Sequence, residues 1–195
     1  ASPAGWRKDP RVVWDFYHAR RAKAGSVSPN PGHVALARLE SRWGDRFTLA
    51  TQNVDGLHQR AGSVRVLEVH GSLRRTRCTA CGEERDQGYD PLPRVPSCGA
   101  CGGVLRPAIV WFGEGLPPDV WGEAEAAAAG CDVFLVVGTS AVVYPAANLI
   151  PIARDGGAKV IEANLTETAA SGYADVGLYG PSGATLPAVC ERLGL

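Results

Sequence analysis

The sequence predicts an α/β protein: an open parallel sheet covered by helices, with a small module inserted between its strands and a helical small lobe. Three observations predict it. Short apolar runs at 47–50, 64–69, 132–137 and 159–164 each end abruptly in polar, turn-forming residues, as buried strands do. Helical patterns separate them, among them an alanine-rich stretch at 117–129. Four cysteines in two Cys-x-x-Cys pairs interrupt the alternation between residues 78 and 101.

At 195 residues the chain is long enough to bury a substantial core. Lysine plus arginine equals aspartate plus glutamate at 20 each, so no global field draws it to nucleic acid or to a membrane surface. No apolar run approaches the roughly 20 residues needed to span a bilayer, and no signal-peptide pattern opens the chain. Six cysteines could form a secreted disulfide framework, but the paired spacing of four of them favours a metal in a reducing cytoplasm.

In chain order, residues 1–3 lead directly into a helix. Asp9 then Pro10 opens the next one, an N-cap followed by proline in the first turn. Val13, Phe16, Tyr17 and Arg20 follow at three- and four-residue spacing, which puts Tyr17 and Arg20 on one face. By residue type alone this is an amphipathic packing helix with a snorkelling arginine. Residues 24–29 form a linker. Asn30 and Pro31 cap a helix with an apolar stripe of Leu36, Leu39 and Trp43, closed by Gly44, and His33 is a surface or packing histidine.

The run at 47–50 ends in Thr51-Gln52-Asn53-Val54-Asp55-Gly56-Leu57-His58, and the run at 64–69 ends in His70-Gly71-Ser72. Ligands of open α/β sheets bind beyond the carboxyl ends of the strands. Two strands delivering amides, a carboxylate and an imidazole to that edge make a candidate active site. The same residue types also suit a polar turn and a satisfied histidine.

Cys78, Cys81, Cys98 and Cys101 form a C-x2-C-x16-C-x2-C array. Tetrahedral zinc takes four soft ligands, and each Cys-x-x-Cys turn points two sulfurs at one centre. Four thiolates leave no open position, so this metal would hold the fold and do no chemistry. A nucleic-acid-binding ribbon is the competing use, but only Arg74, Arg75 and Arg77 cluster nearby, as on a solvated face. Residues 106–114 return to the main domain, with Trp111 and Phe112 as core aromatics by type alone. The apolar run at 132–137 reads as a strand buried on both faces, and it ends in Gly138-Thr139-Ser140, a turn able to approach a phosphate. The run at 159–164 repeats the pattern and ends in Asn164-Leu165-Thr166, and Gly180-Pro181-Ser182-Gly183 precedes the last helix. Cys131 and Cys190 are unpaired apolar fillers.

Residues Thr51 to Gly62, followed by Glu68-Val69-His70-Gly71, resemble the signature of the sirtuins, the NAD-dependent protein lysine deacylases. The resemblance implies a Rossmann-like domain, NAD as co-substrate and one structural zinc. It implies His70 as general base, a role histidine suits because it can take and return a proton near neutral pH. It places Gln52, Asn53 and Asp55 around nicotinamide and its ribose. Gly138, Thr139 and Ser140 would contact phosphate and ribose, Asn164, Leu165 and Thr166 the adenosine ribose, and Ser182 the adenine. Val110, Trp111 and Phe112 resemble the segment that pairs with a substrate peptide as an added strand, with Trp111 and Phe112 flanking the acyl-lysine tunnel.

The segment from Trp14 to Arg21 resembles the branch of the family that removes acidic acyl groups. There a tyrosine and an arginine, here Tyr17 and Arg20, hold the distal carboxylate of succinyl- or malonyl-lysine. The implied reaction transfers the acyl group to ADP-ribose with release of nicotinamide. The implied partners are acyl-lysine proteins or peptides, with no membrane and no specific nucleic acid, for a cytoplasmic monomer.

Sirtuins also carry a Gly-Ala-Gly-Ile-Ser-type segment with a preceding first strand, and neither is expected in this chain. A catalytically impaired zinc module acting in peptide binding or assembly, or a protein mono-ADP-ribosyltransferase, are therefore the alternatives. The expected partition is a helical part of the small lobe at 1–45, a Rossmann-like NAD-binding domain at 46–72 and 104–195, and a zinc module at 73–103. The cofactor is expected in a crevice between the lobes.

Overall fold

A computed structural model describes residues 2–195. The elements in chain order are α1 (Pro3–Lys8), α2 (Pro10–Ser26), α3 (Pro31–Trp43), β1 (Leu49–Thr51), α4 (Leu57–Arg60), β2 (Val66–Glu68), β3 (Gly71–Cys78), β4 (Glu84–Asp86) and β5 (Leu105–Ile109). After them come α5 (Pro118–Gly130), β6 (Val133–Val137), α6 (Leu149–Asp155), β7 (Lys159–Asn164), β8 (Val176–Tyr179) and α7 (Ser182–Arg192). The chain divides into two compact units. Among the described residues the first comprises 2–28, 51–57 and 70–118, and the second 29–50, 58–69 and 119–195.

In the first unit, three antiparallel strands in the order β4-β3-β5 carry α2, against which α1 packs. Both helices start where an extended capping residue precedes a proline: Ser2 accepts from the Gly5 N–H, and Asp9 from the Arg11 N–H. Pro107 sits within β5, which the sheet tolerates because β5 is an edge strand. The core joins Val13, Trp14, Tyr17 and Ala24 of α2 to Leu73, Leu105, Ile109 and Trp111.

The buried face of α2 departs from the expected one. It comprises Val13, Trp14, Tyr17, Arg21 and Ala24, while Phe16 and Arg20 are exposed. Three- and four-residue spacings suit either stripe, and the sheet selects the one with Trp14, whose indole N–H donates to the Leu105 carbonyl at 2.8 Å. The helix also runs to Ser26, so the expected linker begins about three residues late.

In the second unit, β6-β7-β8 form a parallel sheet in that order, with matched register from Val133↔Lys159 to Val137↔Ala163 and from Ile161↔Val176 to Asn164↔Tyr179. Of the four apolar runs expected in one parallel sheet, those at 132–137 and 159–164 lie here, whereas those at 47–50 and 64–69 supply β1 and β2 outside it. Among the described residues β6 is an edge strand beside β7, and Val133 at its start is exposed, so the expected burial on both faces is incomplete. The pair β1-β2 forms a separate two-stranded sheet.

Asn30 caps α3 in a reciprocal box, its side chain accepting from the Gly32 and His33 N–H groups while His33 Nδ1 accepts from the Asn30 N–H. Ala35, Leu36 and Leu39 of α3 pack with Leu186 and Cys190 of α7. The helix thus belongs to the second unit, whereas the sequence-based partition grouped residues 1–45 together. Among the described residues no helix is long and apolar enough to cross a membrane.

Candidate active site

The first unit assembles the candidate catalytic residues. Its turn from Thr51 to Leu57 is tied at successive residues: Thr51 Oγ1 accepts from the Asn53 N–H at 3.1 Å, the Val54 carbonyl from the Leu73 N–H at 2.8 Å, and Asp55 Oδ1 from the Leu57 N–H at 3.0 Å. The Tyr89 hydroxyl donates to the Asp55 carbonyl. Gln52 and Asp55 are half-buried and Asn53 is exposed.

His70 is half-buried, and its Nδ1 lies 3.2 Å from the Gln52 carbonyl oxygen. A carbonyl can only accept, so in the neutral ring this contact puts the proton on Nδ1 and the lone pair on Nε2. The His70 carbonyl accepts from the Val110 N–H at 2.9 Å, which fastens the histidine to the end of β5. Gly71 then has φ +78°, and a Cβ there would stand 2.0 Å from the Ala108 carbonyl oxygen. Only glycine permits this approach of β3 to β5 directly after His70.

Tyr17 is buried on α2, and its hydroxyl accepts from the Trp111 indole N–H at 2.8 Å. Burial pushes the Tyr17 pKa upward against the pull of the Trp111 N–H and the Arg20 and Arg106 charges, so the group stays an O–H donor. Arg20 is exposed and lies over the Phe16 ring at 5.5 Å. Trp111 is 3 % exposed and Phe112 is 86 % exposed, so the two aromatics, expected together at a tunnel, part company: one is core and the other is open to solvent.

Arg106 lies 3.4 Å from the centre of the Trp111 ring and holds Glu114 bidentately at 2.6 and 2.8 Å. Glu114 also accepts from the Trp111 backbone N–H at 2.9 Å. Burial raises the Glu114 pKa, but Arg106 and the Trp111 N–H together bring it below the usual carboxylate value. The N–H groups of Val110 and Trp111 are thus both engaged within the protein, and an added peptide strand would pair with other groups of this segment.

The four thiol sulfurs lie within 4.8 Å of one another, with Cys78–Cys101 at 3.5 Å and Cys81–Cys98 at 3.8 Å. Corners of a tetrahedron of zinc–sulfur bonds of about 2.3 Å stand roughly 3.8 Å apart, so the array fits zinc. The N–H groups of Cys81 and Ala80 draw the Cys78 pKa down to about 6, already favouring a thiolate.

In the second unit, the sequence-predicted cofactor residues gather at the carboxyl edge of the parallel sheet. Gly138 (φ +58°), Thr139 and Ser140 follow β6, Asn164, Leu165 and Thr166 end or follow β7, and Ser182 opens α7 after β8. The Asn164 amide donates to the Thr139 carbonyl at 2.7 Å, and its oxygen accepts from the Leu165 N–H at 2.9 Å. An amide has a second hydrogen and a second lone pair, which leaves both kinds of group for a ribose hydroxyl. This edge fits the phosphate-and-ribose part of a dinucleotide.

Five residues of structural weight carry no local sequence signal that singles them out or only a faint one. Arg21, not Arg20, is the buried arginine of α2, donating to the Leu73 and Asp90 carbonyls. Tyr89 anchors Asp55, and Arg106 with Glu114 brackets Trp111. Glu162, wholly buried in β7, accepts from the hydroxyls of Thr168, Ser171 and Tyr179. Its place inside an apolar strand run was the one available signal, since a buried carboxylate needs partners.

Comparison with known proteins agrees with this geometry. Residues 1–145 match the Sir2 family. An NAD-dependent protein deacylase of Ralstonia nicotianae is 49% identical over 190 residues, covering 97% of this chain and 76% of the relative. The mitochondrial NAD-dependent protein deacylase sirtuin-5 of Canis lupus familiaris is 41% identical over 213 residues, covering 96% and 69%. A solved Sir2 homolog–NAD complex superposes with a TM-score of 0.93 at 43% identity, covering 99% of this chain and 75% of that one. A Sir2 bound to acetylated peptide superposes at 0.90 with 32% identity, covering 99% and 82%. The chain belongs to the Sir2 family, the sirtuins.

Proposed function

We propose that the chain is an NAD-dependent protein lysine deacylase whose preferred acyl groups end in a carboxylate. One observation carries the catalytic reading: the Gln52 carbonyl holds the Nδ1 proton of His70 and leaves Nε2 as the base. NAD, when bound, supplies an electrophilic anomeric carbon and nicotinamide as its leaving group. By the resemblance to sirtuins, Gln52, Asn53 and Asp55 would hold the nicotinamide end, and Gly138, Thr139, Ser140, Asn164, Leu165, Thr166 and Ser182 the adenosine diphosphate. His70 takes the proton of a ribose hydroxyl, and the Thr51–Leu57 turn positions nicotinamide. The zinc module stabilises the first unit.

The acyl preference rests on Tyr17, fixed as a donor on α2, and on Arg20 one turn further along the same helix. The relatives include sirtuin-5, and a similar solved structure holds an acetylated peptide, which supports acyl-lysine peptides as the substrate class. We further propose a cytoplasmic monomer that takes no nucleic acid. The balanced charge and the paired, metal-type cysteines support that part of the reading.

The deciding measurement is kcat/KM for acetyl- and succinyl-lysine in one peptide, for the parent and for Arg20→Met. A charge-assisted hydrogen bond of about 1.5–3 kcal/mol corresponds to roughly a 10- to 150-fold preference for succinyl. A parent that prefers acetyl, or an unchanged ratio in Arg20→Met, would reduce the pair to packing.

A further inference from the structure

Tyr17, Trp111, Arg106 and Glu114 form a chain of contacts in which each member fixes the next. The indole N–H of Trp111 is a donor with no acceptor capacity, so its 2.8 Å contact with the Tyr17 hydroxyl runs one way only: Trp111 donates and Tyr17 accepts. The single hydrogen of the Tyr17 hydroxyl must then point at some other acceptor, and no protein acceptor for it is seen among the described residues. The tyrosine is thereby committed as a donor.

The orientation of the Trp111 ring is itself set from two sides. The Arg106 guanidinium lies against its face at 3.4 Å, and the Glu114 carboxylate takes its backbone N–H at 2.9 Å. The same carboxylate grips Arg106 bidentately, so ring plane and backbone are locked by one ion pair whose side chains are 9 % and 22 % exposed. Rotation of the indole would cost both the stacking contact and the Tyr17 bond.

We infer that the Glu114–Arg106 ion pair and the Trp111 indole are a positioning device for acyl selectivity: they orient the Tyr17 hydroxyl so that it donates to the distal carboxylate of the acyl group. Acyl groups that end in a hydrogen-bond acceptor are favoured, and a short apolar acyl group gains nothing from the device. The inference rests on the reading that Tyr17 and Arg20 receive an acidic acyl chain.

The test compares kcat/KM for succinyl- and acetyl-lysine in one peptide across the full-length parent, Arg20→Met, Tyr17→Phe, Trp111→Phe, the double variant of the last two, and Glu114→Gln. Trp111→Phe keeps a stacking ring and removes the indole N–H. It is expected to lower the succinyl-to-acetyl ratio by roughly 10-fold, the scale of one charge-assisted hydrogen bond. The double variant should show a ratio no lower than Tyr17→Phe alone, because both remove the same bond. Glu114→Gln should lower the ratio in the same direction by a smaller factor, and it decides the matter should Trp111→Phe fail to fold.

A purely structural role predicts a parallel loss on both substrates with the ratio intact, and that result overturns the inference. If the parent prefers succinyl and Arg20→Met abolishes the preference while Trp111→Phe and Glu114→Gln leave it untouched, only the positioning device fails. A parent with no preference for succinyl removes the acidic-acyl reading and the device together.

Discussion

His70 and Gly71 are neighbours with different tasks: the histidine is the proposed base, and the glycine allows the fit. The imidazole is aimed by a backbone carbonyl, and the glycine beside it lets β3 reach β5 where any Cβ would stand 2.0 Å from the Ala108 oxygen. His70→Ala should leave the fold intact and lower NAD-dependent nicotinamide release by ~10²–10⁴-fold, the usual loss for one positioned base. Near-parent turnover in that variant would remove the base assignment. Gly71→Ala should behave differently. Its positive φ and its backbone clash cannot be relaxed by a side-chain movement, so the denaturant midpoint and the activity should fall together, with backbone strain alone accounting for about 1–3 kcal/mol.

At the scale of elements, β3 joins the four-cysteine array to the Thr51–Leu57 turn. Its first residue follows His70, its last is Cys78, and between them the Leu73 N–H binds the Val54 carbonyl. The cysteines converge from the end of β3 and from loops on either side of β4, so a zinc ion bound there would cross-link segments of the small sheet. One zinc per chain is expected by elemental analysis. Cys98→Ser, or chelation, should lower the melting temperature and solubility while leaving the succinyl-to-acetyl ratio of the surviving folded protein unchanged. A metal-free protein of full stability would show that the array is not a structural zinc site. The helix α2 follows a related logic: its cap and proline decide where it starts, and the sheet decides which stripe it buries.

For the molecule as a whole, acid stability should carry the signature of Glu114. Its folded-state pKa lies below the ordinary value of 4.5, so the stability it contributes is fully present above about pH 4.5 and lost as pH falls through the lower folded value. The gap in unfolding midpoint between the parent and Glu114→Gln should therefore be widest near neutral pH and close on acidification. A gap independent of pH would contradict the ion-pair account.

Much of this protein is written locally. The two Cys-x-x-Cys turns, the capping residues with their prolines, and the strand ends near His70 and Gly138 are all patterns within a few residues, and each appears in the structure where the chain places it. What only the tertiary structure decided are the pairings between distant positions. Tyr17 meets Trp111 across 94 residues and Tyr89 meets Asp55 across 34, and the stripe of α2 that faces the sheet holds Arg21 and leaves Arg20 outside. Local sequence encodes periodicity, turn chemistry and ligand spacing. Which faces meet depends on strand order and register, and those are fixed only when the whole core packs.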